Sequence, residues 1–105
     1  MRRSASDESI RYVDVHLPQA RELTHLIVEA LDRLGGQADR REIIETAIRI
    51  GPFSAAQRAE PSHAVKAHAH HPSELHHRLS WAMSHARIAG EIEPVRRGVW
   101  RLAAK

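Results

Sequence analysis

The chain has 105 residues, 42% of them hydrophobic, and a formal net charge of +3 with histidine counted as neutral. That length suits one domain with a modest core, and the hydrophobic share suits a folded globule over a disordered chain. The lack of cysteine excludes disulfide frameworks and thiolate metal centres; no apolar run approaches a membrane span, and MRRSASDES lacks the apolar core of a signal peptide, so a cytoplasmic chain without a membrane partner is expected.

Residues 1–9 are polar and read as a mobile tail. Ile10–Leu17 (IRYVDVHL) is β-branched and aromatic enough for a short strand or an extended arm, which places the packed domain at 18–105 behind a tail and arm at 1–17. Pro18 suits the start of a first helix, Arg21–Leu34, whose apolar stripe is Leu23, Leu26, Ile27, Ala30, Leu31 and Leu34. Gly35-Gly36 ends it. Gln37-Ala38 allows a very short strand. Asp39 then caps a second helix, Arg40–Ile50, with Glu42 completing a capping-box pattern and Ile43, Ile44, Ala47 and Ile48 on its buried face. Gly51 closes that helix. Ser54-Ala55-Ala56-Gln57 has the same capping-box shape and predicts one further turn, after which the chain to Pro72 is rich in Ala, His and Pro without a clear period.

From Ser73 the pattern is strong again. Ser73 is a good N-cap, and Leu75, Leu79, Ala82, Met83, Ala86 and Ala89 recur at spacings of three and four, which predicts a helix over Ser73–Ala89 closed by Gly90. Ile92–Val95 and the alternating Val99-Trp100-Arg101-Leu102 predict a β-hairpin with Trp100 and Leu102 inward, turning at Arg96-Arg97-Gly98. Pro94 cannot donate to a ladder, so the first strand is short or at an edge. A third helix running into a basic hairpin is how a winged helix-turn-helix ends. The expected fold is therefore α+β: three main helices, a C-terminal hairpin wing and an N-terminal extended arm. A tight helix-turn-helix has a far shorter connection than residues 51–72.

The residues that support a family likeness are Leu34-Gly35-Gly36, Arg41-Glu42-Ile43, Arg78, Trp81-Ala82, Ala89-Gly90 and Arg97-Gly98-Val99-Trp100-Arg101. Over roughly residues 21–103 the chain resembles the N-terminal domain of Mrr-type restriction endonucleases, with RRGVWRL its most specific part. The resemblance implies a winged helix that reads modified DNA, a long variable connection between the second and third helices, and a nuclease domain beyond it. No nuclease domain falls within these 105 residues, so a stand-alone reader is expected, with any effector nuclease encoded separately. The histidine load of the connection departs from the family pattern.

On a helical wheel at ~100° per residue, the third helix turns His77, Ser80, Trp81, Ser84 and Ile88 away from the core, with Glu74 and Arg87 at the margins and Arg78 and His85 at the other boundary. In a winged helix that face enters the major groove. His77, Arg78, Ser80, Ser84 and Arg87 are candidates for base edges or flanking phosphates. Arg40 and Arg41 oppose the dipole of the second helix, a placement that a DNA phosphate would relieve. Arg96 and Arg97 are candidates for phosphate or the minor groove, and Arg101 for an added contact. Trp81 and Ile88 are large and apolar on a polar face. The preferred reading packs the arm (Tyr12, Val13, Val15) or the hairpin over them; a homodimer interface and contact with a base methyl group are the alternatives.

The nine histidines include His68, His70, His71, His76, His77 and His85, yet none on the long helix has the i, i+4 spacing of a helical zinc site, and no metal or other cofactor is expected. No nucleophile motif, phosphate-binding glycine loop or paired carboxylate cleft is apparent, so catalytic residues are not expected either. Glu93 is expected to balance a nearby arginine or face water. The expectation is a nucleoid-associated binder of double-stranded DNA, methylated or not. A transcriptional regulator of unmodified sites and a protein-interaction or dimerisation module stand as alternatives.

Overall fold

The computed structural model describes residues 16–62 and 72–104. Helices and one short strand precede a C-terminal β-hairpin in an α+β arrangement, with a three-stranded antiparallel sheet. The first helical segment begins as a 3₁₀ turn, Ala20–Leu23, and continues as α1, Thr24–Arg33. The start therefore differs from the expected Arg21. Gln19 is the cap, with its backbone N–H donating to Glu22 Oε1 at 2.9 Å, while Glu22 N–H closes a tight turn onto Gln19 O. At the other end Gly35 and Gly36 take φ of +93° and +91°, and Gly36 N–H bonds back to Leu31 O at 2.8 Å. An L side chain would be strained at either position, so the double glycine both stops α1 and turns the chain into the sheet.

Strand β1, Gln37–Asp39, leads directly into α2, Arg40–Ile50. Asp39 Oδ1 accepts the Glu42 N–H at 2.9 Å, the expected N-cap. Gly51 ends α2 with an extended φ of −74°, so positive φ is not why glycine is there. A Cβ at this position would run into the Phe53 ring, and Phe53 is a core residue that periodicity alone did not mark. Ser54 then opens α3, Ala55–Ala59, with a complete capping box: Gln57 N–H to Ser54 Oγ at 3.1 Å and Ser54 N–H to Gln57 Oε1 at 2.7 Å. The histidine-rich run, including His68, His70 and His71, lies mostly outside the described residues.

The long helix α4 spans Glu74–Ile88 with Ser73 as its N-cap. Gly90 follows at φ +78°, as a C′ residue should. Leu75, Leu79, Ala82, Met83 and Ala86 are buried against α1 and α2, where Ile27, Leu31, Ile43 and Ala47 meet them in one core. Strands β2, Ile92–Arg96, and β3, Val99–Leu102, form the hairpin, and the sheet order β1-β3-β2 leaves Pro94 on an edge strand. Pairing slips between Pro94 and Arg96, so Val95 is the extra residue of a bulge. Arg96 is consequently the last residue of β2, paired with Val99, and only Arg97-Gly98 turns the corner. Trp100 and Leu102 pack on the core as expected.

Of the expected arm, residues 10–15 with Tyr12, Val13 and Val15 fall outside the described chain. Leu17, assigned to that arm, is instead buried in the core. No described helix is long and apolar enough to cross a membrane.

Candidate functional site

Arg40, the first residue of α2, ties three elements together. Its backbone N–H donates to Gly98 O in the hairpin turn at 2.8 Å, and its guanidinium Nη2 donates to the Ser80 hydroxyl on α4. The start of α2, the outward face of α4 and the hairpin thus meet on one side of the molecule. Arg41 points outward beside them, loosely paired with Glu45 at 3.4 Å. That pair is exposed at i, i+4 and holds Arg41 weakly. Arg96 and Arg97 are exposed at the end of the hairpin, and neither joins an ion pair among the described residues.

Arg87 leans from α4 across the hairpin, its guanidinium carbon 5.8 Å from the Trp100 ring centroid, within cation–π range. A cleft of about 500 Å³ opens between α4 and β3, lined by Arg40, Met83, Ser84, Arg87, Ile88 and Trp100. Ser84 and Arg87 are exposed and His77 is half-buried.

Trp81 is 56% exposed and Ile88 84% exposed, so the hairpin does not pack over them as expected. Ser84, Arg87 and Ile88 line the cleft toward the hairpin, and Trp81 is not among the residues lining it. The tail half of that expectation concerns residues outside the described chain.

Two expected contact residues are committed elsewhere. Arg78 Nε pairs with Glu74 Oε2 at 2.8 Å, and its Nη1 donates to the carbonyls of Leu17 at 2.8 Å and Pro18 at 3.1 Å. Glu74, expected at the margin of the outward face, is 4% exposed. Arg78 therefore faces the incoming N-terminal segment, which its guanidinium pins to α4. Arg101 Nε pairs with Glu93 Oε2 at 2.6 Å across the hairpin, so its charge is largely compensated and Glu93 balances an arginine as expected. The i, i+4 spacing of Glu74 and Arg78 could have flagged the first pair; the hairpin register, with Glu93 opposite Arg101, could have flagged the second.

Beside the cleft lies a larger recess of about 690 Å³ between α2 and the start of α4, walled in part by Arg41, Ile44, Glu45 and His76. His76 Nδ1 lies 2.6 Å from Ser73 Oγ, which also accepts the His76 backbone N–H at 3.2 Å. Burial pushes the His76 imidazole below its ordinary pKa, and the Glu45 carboxylate pulls it partly back. Among the described residues no group of three or more His, Asp or Glu side chains is arranged to hold a metal ion.

No protein-family model, no curated protein and no solved structure matches this chain.

Proposed function

We propose that this chain is a winged helix-turn-helix that binds double-stranded DNA, with α1, α2 and α4 as its three helices and the β2–β3 hairpin as its wing. The observation that carries the reading is the double anchoring of Arg40, to Ser80 on α4 and to Gly98 in the hairpin turn, which sets the start of α2, the outward face of α4 and the wing side by side. In this reading α4 lies in the major groove with His77 and Ser80 toward base edges and Ser84 at the flanking backbone. Arg40, Arg41, Arg87, Arg96 and Arg97 meet the flanking backbone. Arg78 and Arg101 leave the contact set, because both are occupied by carboxylates. The likeness to Mrr-type N-terminal domains belongs to this proposal and makes a modified base its finer target. Exposed Trp81 suits that target, since a methyl group in the major groove is read by apolar contact.

Binding of the full chain to labelled duplex across a salt series tests the reading. Affinity should fall steeply with salt, and Arg96→Ala with Arg97→Ala should reduce the log–log slope by up to about two. Negligible binding at low salt would end it. Equal affinity for one duplex with and without methylated bases would remove the modified-base refinement and leave a regulator of ordinary sites. A second reading, a homodimer or a surface for a separately encoded effector, is favoured by the joint exposure of Trp81 and Ile88. Sedimentation of wild type and Trp81→Ala over a concentration range separates it.

A further inference from the structure

Two arginines converge on the cleft between α4 and the hairpin, and both are held by neutral groups. Arg40 is oriented by the Ser80 hydroxyl and Arg87 by the Trp100 ring. None of the residues lining the cleft is acidic, and neither guanidinium joins an ion pair among the described residues. Arg40 is also partly buried. A guanidinium drawn partly out of water and given only a hydroxyl has spare donors and an uncompensated charge, so it favours an anion that can take several hydrogen bonds at once.

We infer that this cleft seats one phosphodiester of the duplex, shared by Arg40 and Arg87, with the Ser84 hydroxyl as a further donor and Ile88 packing on the adjoining deoxyribose. The seat rests on the DNA-binding reading and adds to it a stoichiometry: two arginines, one phosphate. It also gives an apolar residue that is 84% exposed a partner of matching chemistry. Trp100 acts here as a positioning residue, since its ring sets where the Arg87 fork points.

Counterion release makes the stoichiometry measurable without knowing the recognised sequence, because each neutralised phosphate contributes about 0.9 to the salt slope on B-DNA. The full chain and its Arg40→Ala, Arg87→Ala and doubly substituted variants are titrated against one random-sequence duplex from low to moderate salt. A shared seat predicts that the double variant loses about 0.9 of slope. It also predicts that the double variant's loss of affinity is smaller than the product of the two single fold-losses, because either change alone dismantles the seat. A slope loss near 1.8 with multiplicative affinities would mean two separate phosphates and would overturn the inference, as would an unchanged slope. Those results would leave DNA binding standing; absence of wild-type binding at low salt would remove both. Arg87→Ala changes an exposed side chain, so it reports even if circular dichroism shows the Arg40 variant misfolded: it should lower affinity and slope, and an unaltered Arg87→Ala titration counts against the seat. In a Trp81→Phe background shown by titration to keep duplex binding, quenching of Trp100 by inorganic phosphate with no response to duplex would assign the cleft to a free anion and overturn the duplex seat.

Discussion

Arg78 and Arg87 stand on the same helix and differ in what lies beside them. Arg87 meets an indole face and open cleft, whereas Arg78 meets the Glu74 carboxylate one turn earlier and two carbonyls of the N-terminal segment. Breaking a buried ion pair by removing one partner costs several kcal/mol, and here the guanidinium side remains 25% exposed, which discounts that figure. Arg78→Ala is therefore expected to lower the unfolding free energy by about 2 kcal/mol, read from the urea midpoint at constant m. The same variant should keep the wild-type salt slope on duplex DNA, because Arg78 touches no phosphate in the proposed mode. A normal urea midpoint together with a shallower salt slope would reverse the assignment and return Arg78 to the DNA face.

The helices and turns were legible in the sequence wherever the deciding residue acts on its own neighbours. Asp39, Ser54 and Ser73 cap the helices that follow them, and Gly35, Gly36, Gly90 and Gly98 supply the positive φ that ends a helix or turns the hairpin. The α2 span, Arg40–Ile50, matches in full, and the expected Ser73–Ala89 differs from α4 only by its two cap residues. Partners distant in sequence were not legible. Arg40 finds Ser80, Arg87 finds Trp100 and Gly51 makes room for Phe53, and no periodicity carries such pairings. The N-cap of α4 shows the two levels joined, since Ser73 is a local signal whose setting depends on His76 and, across the recess, on Glu45. Because burial holds the His76 pKa below its ordinary value, the unfolded chain binds the proton more readily than the folded one. The stability this contributes is complete above about pH 6.5 and is lost as pH falls from there toward the lowered native value. Urea midpoints at pH 8 and pH 5 should therefore differ more in wild type than in His76→Gln. Equal differences would mean that His76 has no part in the acid response. Ser73→Ala, by contrast, should cost about 1 kcal/mol at the pH 8 condition, where the cap is intact.

At the scale of the whole molecule, the hairpin is held to the helical body by more than its own pairing. A lone two-stranded hairpin is marginal in water, and here β1 adds a third strand while Leu102 N–H bonds to Gly36 O at 3.0 Å and Arg40 N–H to Gly98 O at 2.8 Å. The hairpin is thus carried by the same short segment that links α1 to α2, which is why its position relative to α4 is fixed. The segment from His16 to Pro18 is held to the helical body as well. Leu17 is 4% exposed within the core, its carbonyl is held by Arg78, and the preceding His16 carbonyl accepts from Gln57 Nε2 on α3 at 2.7 Å. The backbone of this segment thus joins α3 to α4, while its leucine side chain fills core volume. Large-to-small changes at such sites leave a cavity and cost about 2–5 kcal/mol. Leu17→Ala should fall at the lower end, about 2–3 kcal/mol, because the site lies at the margin of the core where neighbours can relax. Ala20, half-buried in the following turn, serves as the nearby comparison: Ala20→Ser should move the urea midpoint much less. If Leu17→Ala leaves the midpoint and m-value unchanged, residue 17 belongs with the tail after all, and the body of the domain begins at Pro18.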